Sequence, residues 1–216
     1  MNRTRAVWSN AAYKDLKRRR RNATRALEQA EMTELAIMDE ERWIPFDKEV
    51  KFFEAAAEIS GDDCFGVHLV SKIDVRKAGL LAYIGLAART LDDAFRNFIH
   101  YLKVHNAAMR GELVDDGPRV RLQITYLQPT LLKLKQRQEM GTALDLHIAR
   151  WLTQSDINLV EAQFVHRRNE NCDEVERVLG CPVLFGQKKF QTVFHRDDME
   201  RPIPTADRQL LRVLTR

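Results

Sequence analysis

Six histidines, three cysteines and the aspartate pair Asp92–Asp93 are the residues of this chain that first suggest chemistry. A metal site needs ligands spaced so that one helix face or short loop brings their donor atoms together. His68, His100, His105, His147, His166 and His195 form no HxH, HxxH or HExxH pattern, and His100 and His105, five apart, fall off a common helix face. Cys64, Cys172 and Cys181 contain no CxxC spacing, so they read as three reduced thiols of a cytoplasmic protein. Asp92 and Asp93 suit the first turn of a helix, where carboxylates meet the positive end of the dipole. No GxSxG, P-loop, GxGxxG or paired-carboxylate constellation is present. The chain therefore reads as a non-enzyme with no catalytic residues, no metal and no cofactor.

Charge is unevenly placed. The formal net charge is +4 over 216 residues, yet residues 1–27 hold nine Lys or Arg against the single acid Asp15. The remainder is mildly acidic, so the high isoelectric point says nothing about the body as a nucleic-acid binder. Clustered arginines gain affinity for phosphates by releasing counterions, which makes Arg18, Arg19, Arg20 and Arg21 the candidate nucleic-acid contacts. No aromatic residue interleaves them to stack on bases. No run is long and apolar enough to cross a membrane, and no apolar signal segment follows the basic start. A cytoplasmic location and no membrane partner are expected.

Hydrophobic period supplies the scaffold. Leu91, Ala94, Phe95, Phe98, Ile99 and Leu102 recur at helical spacing behind Thr90, with Asp93 three places on as a capping box. Val75, Ala78, Ala82 and Leu86 mark a preceding helical face, with Gly79 and Gly85 allowing close backbone approach. Residues 1–12 show no period and are expected to be mobile, and 13–38 favour helix. Asp47 is placed as the N-cap of a helix running to Gly61, and further helices are expected over 136–153 and 173–179. Asp115–Asp116–Gly117–Pro118 reads as a turn, and residues 120–126 and 158–167 alternate as half-buried strands. Residues 183–195 read as a hairpin turning over 186–189. The fold class is α+β: a helical N-terminal half, then a small, mainly antiparallel sheet of about four strands packed with helices.

Three strings carry a family resemblance: IPFDKEVKFFEAAAEISGDDCFGVHL, GLLAYIGLAARTLDDAFRNFIHYLKVH and CPVLFGQKKFQTVFHRDDMERPIPTADRQLL. They resemble the N-terminal, arabinose-binding-type effector domain of AraC-type transcriptional regulators. The charge count sets off a basic arm at 1–24, and the resemblance implies a sensor domain at 25–211 and the start of a linker at 212–216. It also implies a small-molecule effector, a homodimer, and DNA contact only through a C-terminal helix-turn-helix domain that this sequence does not contain. The sugar in the family label does not carry over as this chain's ligand. The alternative is a ligand-free dimerisation scaffold. For a sensor, polar-tipped or aromatic residues on otherwise apolar faces are the candidate ligand contacts: Tyr83, His105, Tyr126, His147, Trp151 and Phe164. The string RTLDDAFRNFIHYLKVHN also resembles the haem-ligating helix of haem nitric-oxide-binding domains, with His105 as the ligand, but their Tyr-x-Ser-x-Arg motif is missing after Tyr126.

Overall fold

Residues 2–40 are folded into the body. The computed structural model describes residues 2–216, and it places strand β1 (Arg3–Arg5) and helix α1 (Val7–Arg18) where a mobile stretch is expected. Trp8, Ala12 and Leu16, one turn apart, are buried on α1. Short elements and interleaved polar residues hid this period: Ser9 and Asn10 are also buried, with Asn10 Nδ2 donating to the Ile37 carbonyl at 2.9 Å. The helical segment expected over 13–38 is broken twice, where Arg20 and Glu31 adopt positive φ, giving α2 (Ala23–Gln29) and α3 (Glu34–Met38).

Strand β2 (Trp43–Pro45) pairs antiparallel with β1 and leads into α4 (Phe46–Ser60). The helix starts one residue before Asp47, so Asp47 sits in its first turn instead of capping it. Helix α5 (Phe65–Val70) follows, then a 3-10 turn at Val75–Ala78 and α6 (Leu80–Ala87). Gly79 separates the last two: its φ of +61° breaks the helical face that the spacing predicts as continuous. Gly85 does serve close approach, since a Cβ there would lie 2.7 Å from the Phe98 ring. Helix α7 (Leu91–His105) begins as expected, with the Thr90 side chain accepting from the Asp93 amide at 3.2 Å.

The C-terminal half holds β3 (Met109–Asp116), β4 (Arg119–Tyr126), α8 (Gln136–Thr153), β5 (Leu159–Gln163), α9 (Cys172–Leu179), β6 (Val183–Leu184), β7 (Phe190–His195), α10 (Arg196–Met199) and α11 (Arg208–Leu214). Five strands run in the order β3-β4-β7-β5-β6, antiparallel except for β5 with β6. The expected hairpin at 183–195 is not formed. β5 lies between β6 and β7 and pairs with both, because the Phe164 amide and the Ala162 amide bind the Leu184 and Pro182 carbonyls. The α+β class stands, with one more strand in the sheet and a separate two-stranded ribbon. Helix α7 packs on β3, α8 on β7, and α6 on α7, so the two long helices stand over the sheet with α6 above them. Phe46, Phe95, Tyr126, Phe164, Phe190 and Phe194 fill the buried layer between.

Candidate ligand cavity and its charged floor

Helix α8 organises the site. Arg137, Gly141, Leu144, Asp145 and Ile148 fall at i, i+4, i+7, i+8 and i+11, a single face, and all five line a cavity of about 130 Å³. Leu81 and Ala82 of α6 and Phe98, Leu102 and His105 of α7 form further walls, and Met109, Ile124 and Phe190 supply the sheet side. Trp8 closes one end, which is why α1 belongs to the site. Four polar residues face the space, His105, Asn106, Arg137 and Asp145; the remaining walls are apolar apart from the Gly141 backbone. An apolar chamber with a few convergent polar groups is the ordinary form of a small-molecule site. The volume is close to that of an engineered cavity that takes up benzene, at about 150 Å³.

The polar floor is electrostatically tense. Arg137, 5% exposed, donates through Nε to Glu49 Oε1 of α4 at 2.7 Å, and Glu49 is fully buried. Burial pushes the Glu49 carboxyl up and Arg137 pulls it back, while burial works against the Arg137 charge but is outweighed by Glu49, Tyr126 and Asp145 together, so Arg137 keeps its proton. Burial raises the Asp145 carboxyl to about 7, opposed by the Thr192 hydroxyl, 3.1 Å from Oδ2, and by Arg137. Burial lowers His105 to about 3, helped by the charges of Arg137 and Arg5, so its imidazole is neutral. Among the described residues, His105 Nε2, Tyr126 Oη and Glu49 Oε2 are buried without a hydrogen-bond partner.

Asp145 makes a stability prediction. Its folded-state value lies above the unfolded 3.8, so between pH 4 and 7 the folded chain holds a proton that the unfolded chain has released. Rising pH therefore destabilises the fold across that window and has no further effect above it. Asp145→Asn, which still accepts from Thr192, is expected to stabilise the chain at pH 8 by about 2 kcal/mol and to change little at pH 4; linkage alone would allow about 4 kcal/mol, and partial solvent access reduces it. Urea unfolding at the two pH values reads the difference.

Of the six residues chosen from the sequence, His105 lines the cavity. Tyr126 lies in the layer beneath, its ring edge-on to Phe190 with centroids 6.3 Å apart, and Phe164 packs on the same Phe190 at 5.8 Å. His147 and Trp151 share α8 but are only partly buried and do not border the space, and Tyr83 is half exposed on α6. Arg137 and Asp145 were not among the candidates. The signal was there, two opposite charges eight residues apart on the apolar stripe of a helix. His105 stands 5.7 Å from Trp8 in a space of single-ring scale, which does not admit a porphyrin. Among the described residues no three His, Cys, Asp or Glu side chains are grouped so that they could hold a metal ion.

The basic cluster divides in two. Arg18 and Arg19 pair with the fully buried Asp15 at 2.7 and 2.6 Å, Lys72 joins the same carboxylate at 2.9 Å, and Arg19 also reaches Asp62. Arg20 and Arg21 lie exposed in the turn after α1, with no ion partner among the described residues. A second buried network, His166 and Arg168 on Glu139 with Arg168 also on Asp63, ties the start of α8 to the loop after β5 and does not border the cavity.

Comparison with known proteins places this geometry. No curated protein matches the chain. Among solved structures, the transcriptional regulator CdpR from Pseudomonas aeruginosa shares the fold with a TM-score of 0.57 at 15% identity, over 69% of this chain and 49% of that one. The chain thus spans about half the length of that regulator. The family described as the arabinose-binding domain of AraC transcription regulator, N-terminal, matches residues 21–203. With nearly the whole folded body inside that match, the chain belongs to the family of N-terminal arabinose-binding domains of AraC transcription regulators.

Proposed function

We propose that this chain is the effector-sensing domain of an AraC-type regulator, and that its effector is a small molecule held in the chamber between α6, α7, α8 and the sheet. The observation that carries the reading is the chamber itself, apolar-walled with charged side chains at its floor. A ligand there would touch α6 and α7 together. Those helices hold the C-terminal segment: Tyr101 Oη of α7 donates to the Thr215 carbonyl at 3.0 Å, the Thr205 hydroxyl to the Leu86 carbonyl at 2.8 Å, and α11 packs on α6. Differential affinity for two arrangements of α6 and α11 is sufficient to bias whatever follows the helix, including a DNA-reading domain of the AraC type. Leu80 and Tyr83 on α6 and Leu210 and Val213 on α11 leave apolar surface exposed on neighbouring helices, which supports self-association; light scattering tests that part.

The test of the sensing role is a thermal-shift screen of the 216-residue chain against sugars, amino acids, fatty acids and aromatic acids. A ligand that binds only the folded state, present at a hundredfold excess over its dissociation constant, adds about 2.7 kcal/mol of stability. A hit is expected, and Ile148→Phe, which fills the chamber from α8, should remove it. Silence across all four classes, or a hit that Ile148→Phe leaves unchanged, contradicts the assignment.

A further inference from the structure

The charged floor is asymmetric. Arg137 offers five N–H donors in a planar fork, and only Nε–H is used, by Glu49. Among the described residues neither Nη atom has a hydrogen-bond partner, and a Cβ built on Gly141, itself a wall of the chamber, would lie 3.7 Å from Nη1. Arg137 is 5% exposed and borders the chamber, so its two Nη groups, with no partner among the described residues, can be satisfied only from the chamber, where an N–H left unpaired costs free energy. We propose that the effector is a small monocarboxylic acid with a compact apolar body, its carboxylate bridging the two Nη groups of Arg137. This rests on the sensing role assigned above.

Planar, bidentate recognition of a carboxylate is what an open guanidinium edge does best. The remainder of the chamber fixes the rest of the molecule. Trp8, Phe98, Phe190, Leu102, Leu144 and Ile148 offer apolar contact, with room for about one aromatic ring or a short chain. Sugars fit poorly: each hydroxyl needs a partner, and besides Arg137 only His105, Asn106 and Asp145 are at hand. Asn106 is already engaged, its Oδ1 accepting from the Ala108 amide at 2.9 Å and its Nδ2 contacting Met109 Sδ at 3.0 Å. A cation fits poorly as well, since the open edge is itself positive.

A second carboxylate beside Arg137 also bears on Asp145. The groups facing it are Arg137 on the same helix, Tyr126 from β4 and the Thr192 hydroxyl from β7, with neutral His105 of α7 across the chamber; Glu49 from α4 is paired with Arg137. Glu49 compensates Arg137 in the empty chamber, so the bound acid adds an uncompensated negative charge, and protonated Asp145 is the form that tolerates it. Acid binding is therefore tied to a proton on Asp145: affinity is flat near pH 6, where the ligand is ionised and Asp145 protonated, and falls about tenfold per pH unit well above 7.

The experiment is calorimetry on the full chain with matched pairs, benzoate against benzamide and hexanoate against hexan-1-ol, at pH 6 and pH 8. Each acid is expected to bind at least tenfold tighter than its neutral partner at pH 6 and about tenfold more weakly at pH 8 than at pH 6. Arg137→Met should erase the acid preference. Because Arg137 also holds the fold, Asp145→Asn supplies the independent check: it should keep the preference for acids and flatten the pH dependence. Neutral partners that bind as well as the acids, or a pH dependence that Asp145→Asn leaves intact, overturn the carboxylate assignment while the chamber remains a ligand site. A sugar or amine binding where every acid fails does the same. If no compound of any class binds, the sensing role itself falls.

Discussion

Replacing Arg137 by methionine is expected to destabilise the domain by about 3–5 kcal/mol, because it strands the fully buried Glu49 carboxylate without its cation. Glu49→Leu should cost a similar amount by stranding the guanidinium. The double variant is expected to recover most of the loss, since two apolar side chains of similar volume need neither desolvation nor pairing. A double-mutant cycle in urea therefore should show a coupling of at least about 2 kcal/mol between the two positions. Additive losses would mean that the 2.7 Å contact is incidental and that each side chain acts through its own packing. The result matters for the site as well as for stability. Glu49 fixes Nε and so aims the open edge of the same fork at the chamber.

Gly66→Ala is expected to be comparably severe, about 3 kcal/mol or more. A Cβ at Gly66 would lie 2.2 Å from the backbone carbonyl oxygen of Gln136, a contact that no rotamer change relieves, so α5 and the start of α8 would have to part. Two bonds converge at this junction: Gly66 N donates to Gln136 Oε1 at 2.8 Å, and Gln136 Nε2 donates to the Asp63 carbonyl at 2.7 Å. Parting the helices disturbs both, and it displaces Arg137, the next residue of α8. Thermal unfolding should show the loss. Gly61→Ala is the useful comparison, since nothing lies within 4 Å of its Cβ and only the strain of its φ of +69° opposes the change. Equal losses at the two positions would rule out the steric account.

These two sites show which parts of the structure sequence reasoning reaches. Helices α7 and α8 were legible because their apolar residues recur at helical period over four turns or more, and Thr90 and Asp93 mark the start of α7. Strand β3 was not anticipated. MRGELVDD carries Gly, Glu and two Asp, which strands disfavour, and an edge strand tolerates them because one side of its ladder is open. The order of β5, β6 and β7 was beyond local pattern, since a two-residue strand pairing across β5 leaves no periodic trace. Charge depends on burial in the same way: Asp15 counts as one acid against nine basic residues, yet burial makes it the anchor that engages Arg18, Arg19 and Lys72. Of the aromatic and histidine candidates, His105 lies on the chamber wall and Tyr126 and Phe164 lie beneath it. The charged groups that line the chamber are Arg137 and Asp145, and their burial is set by the packing of α4, α7 and β7 against α8 and not by α8's own sequence.

The most direct measurement is methyl NMR of the chain labelled at Ile and Leu, titrated with whichever compound stabilises it best. Occupancy of the chamber predicts shifts concentrated at Leu81, Leu102, Ile124, Leu144 and Ile148, with Leu35 and Leu184 unmoved on the outer surface. Shifts confined to the surface residues, with the chamber methyls silent at saturating ligand, would contradict the account.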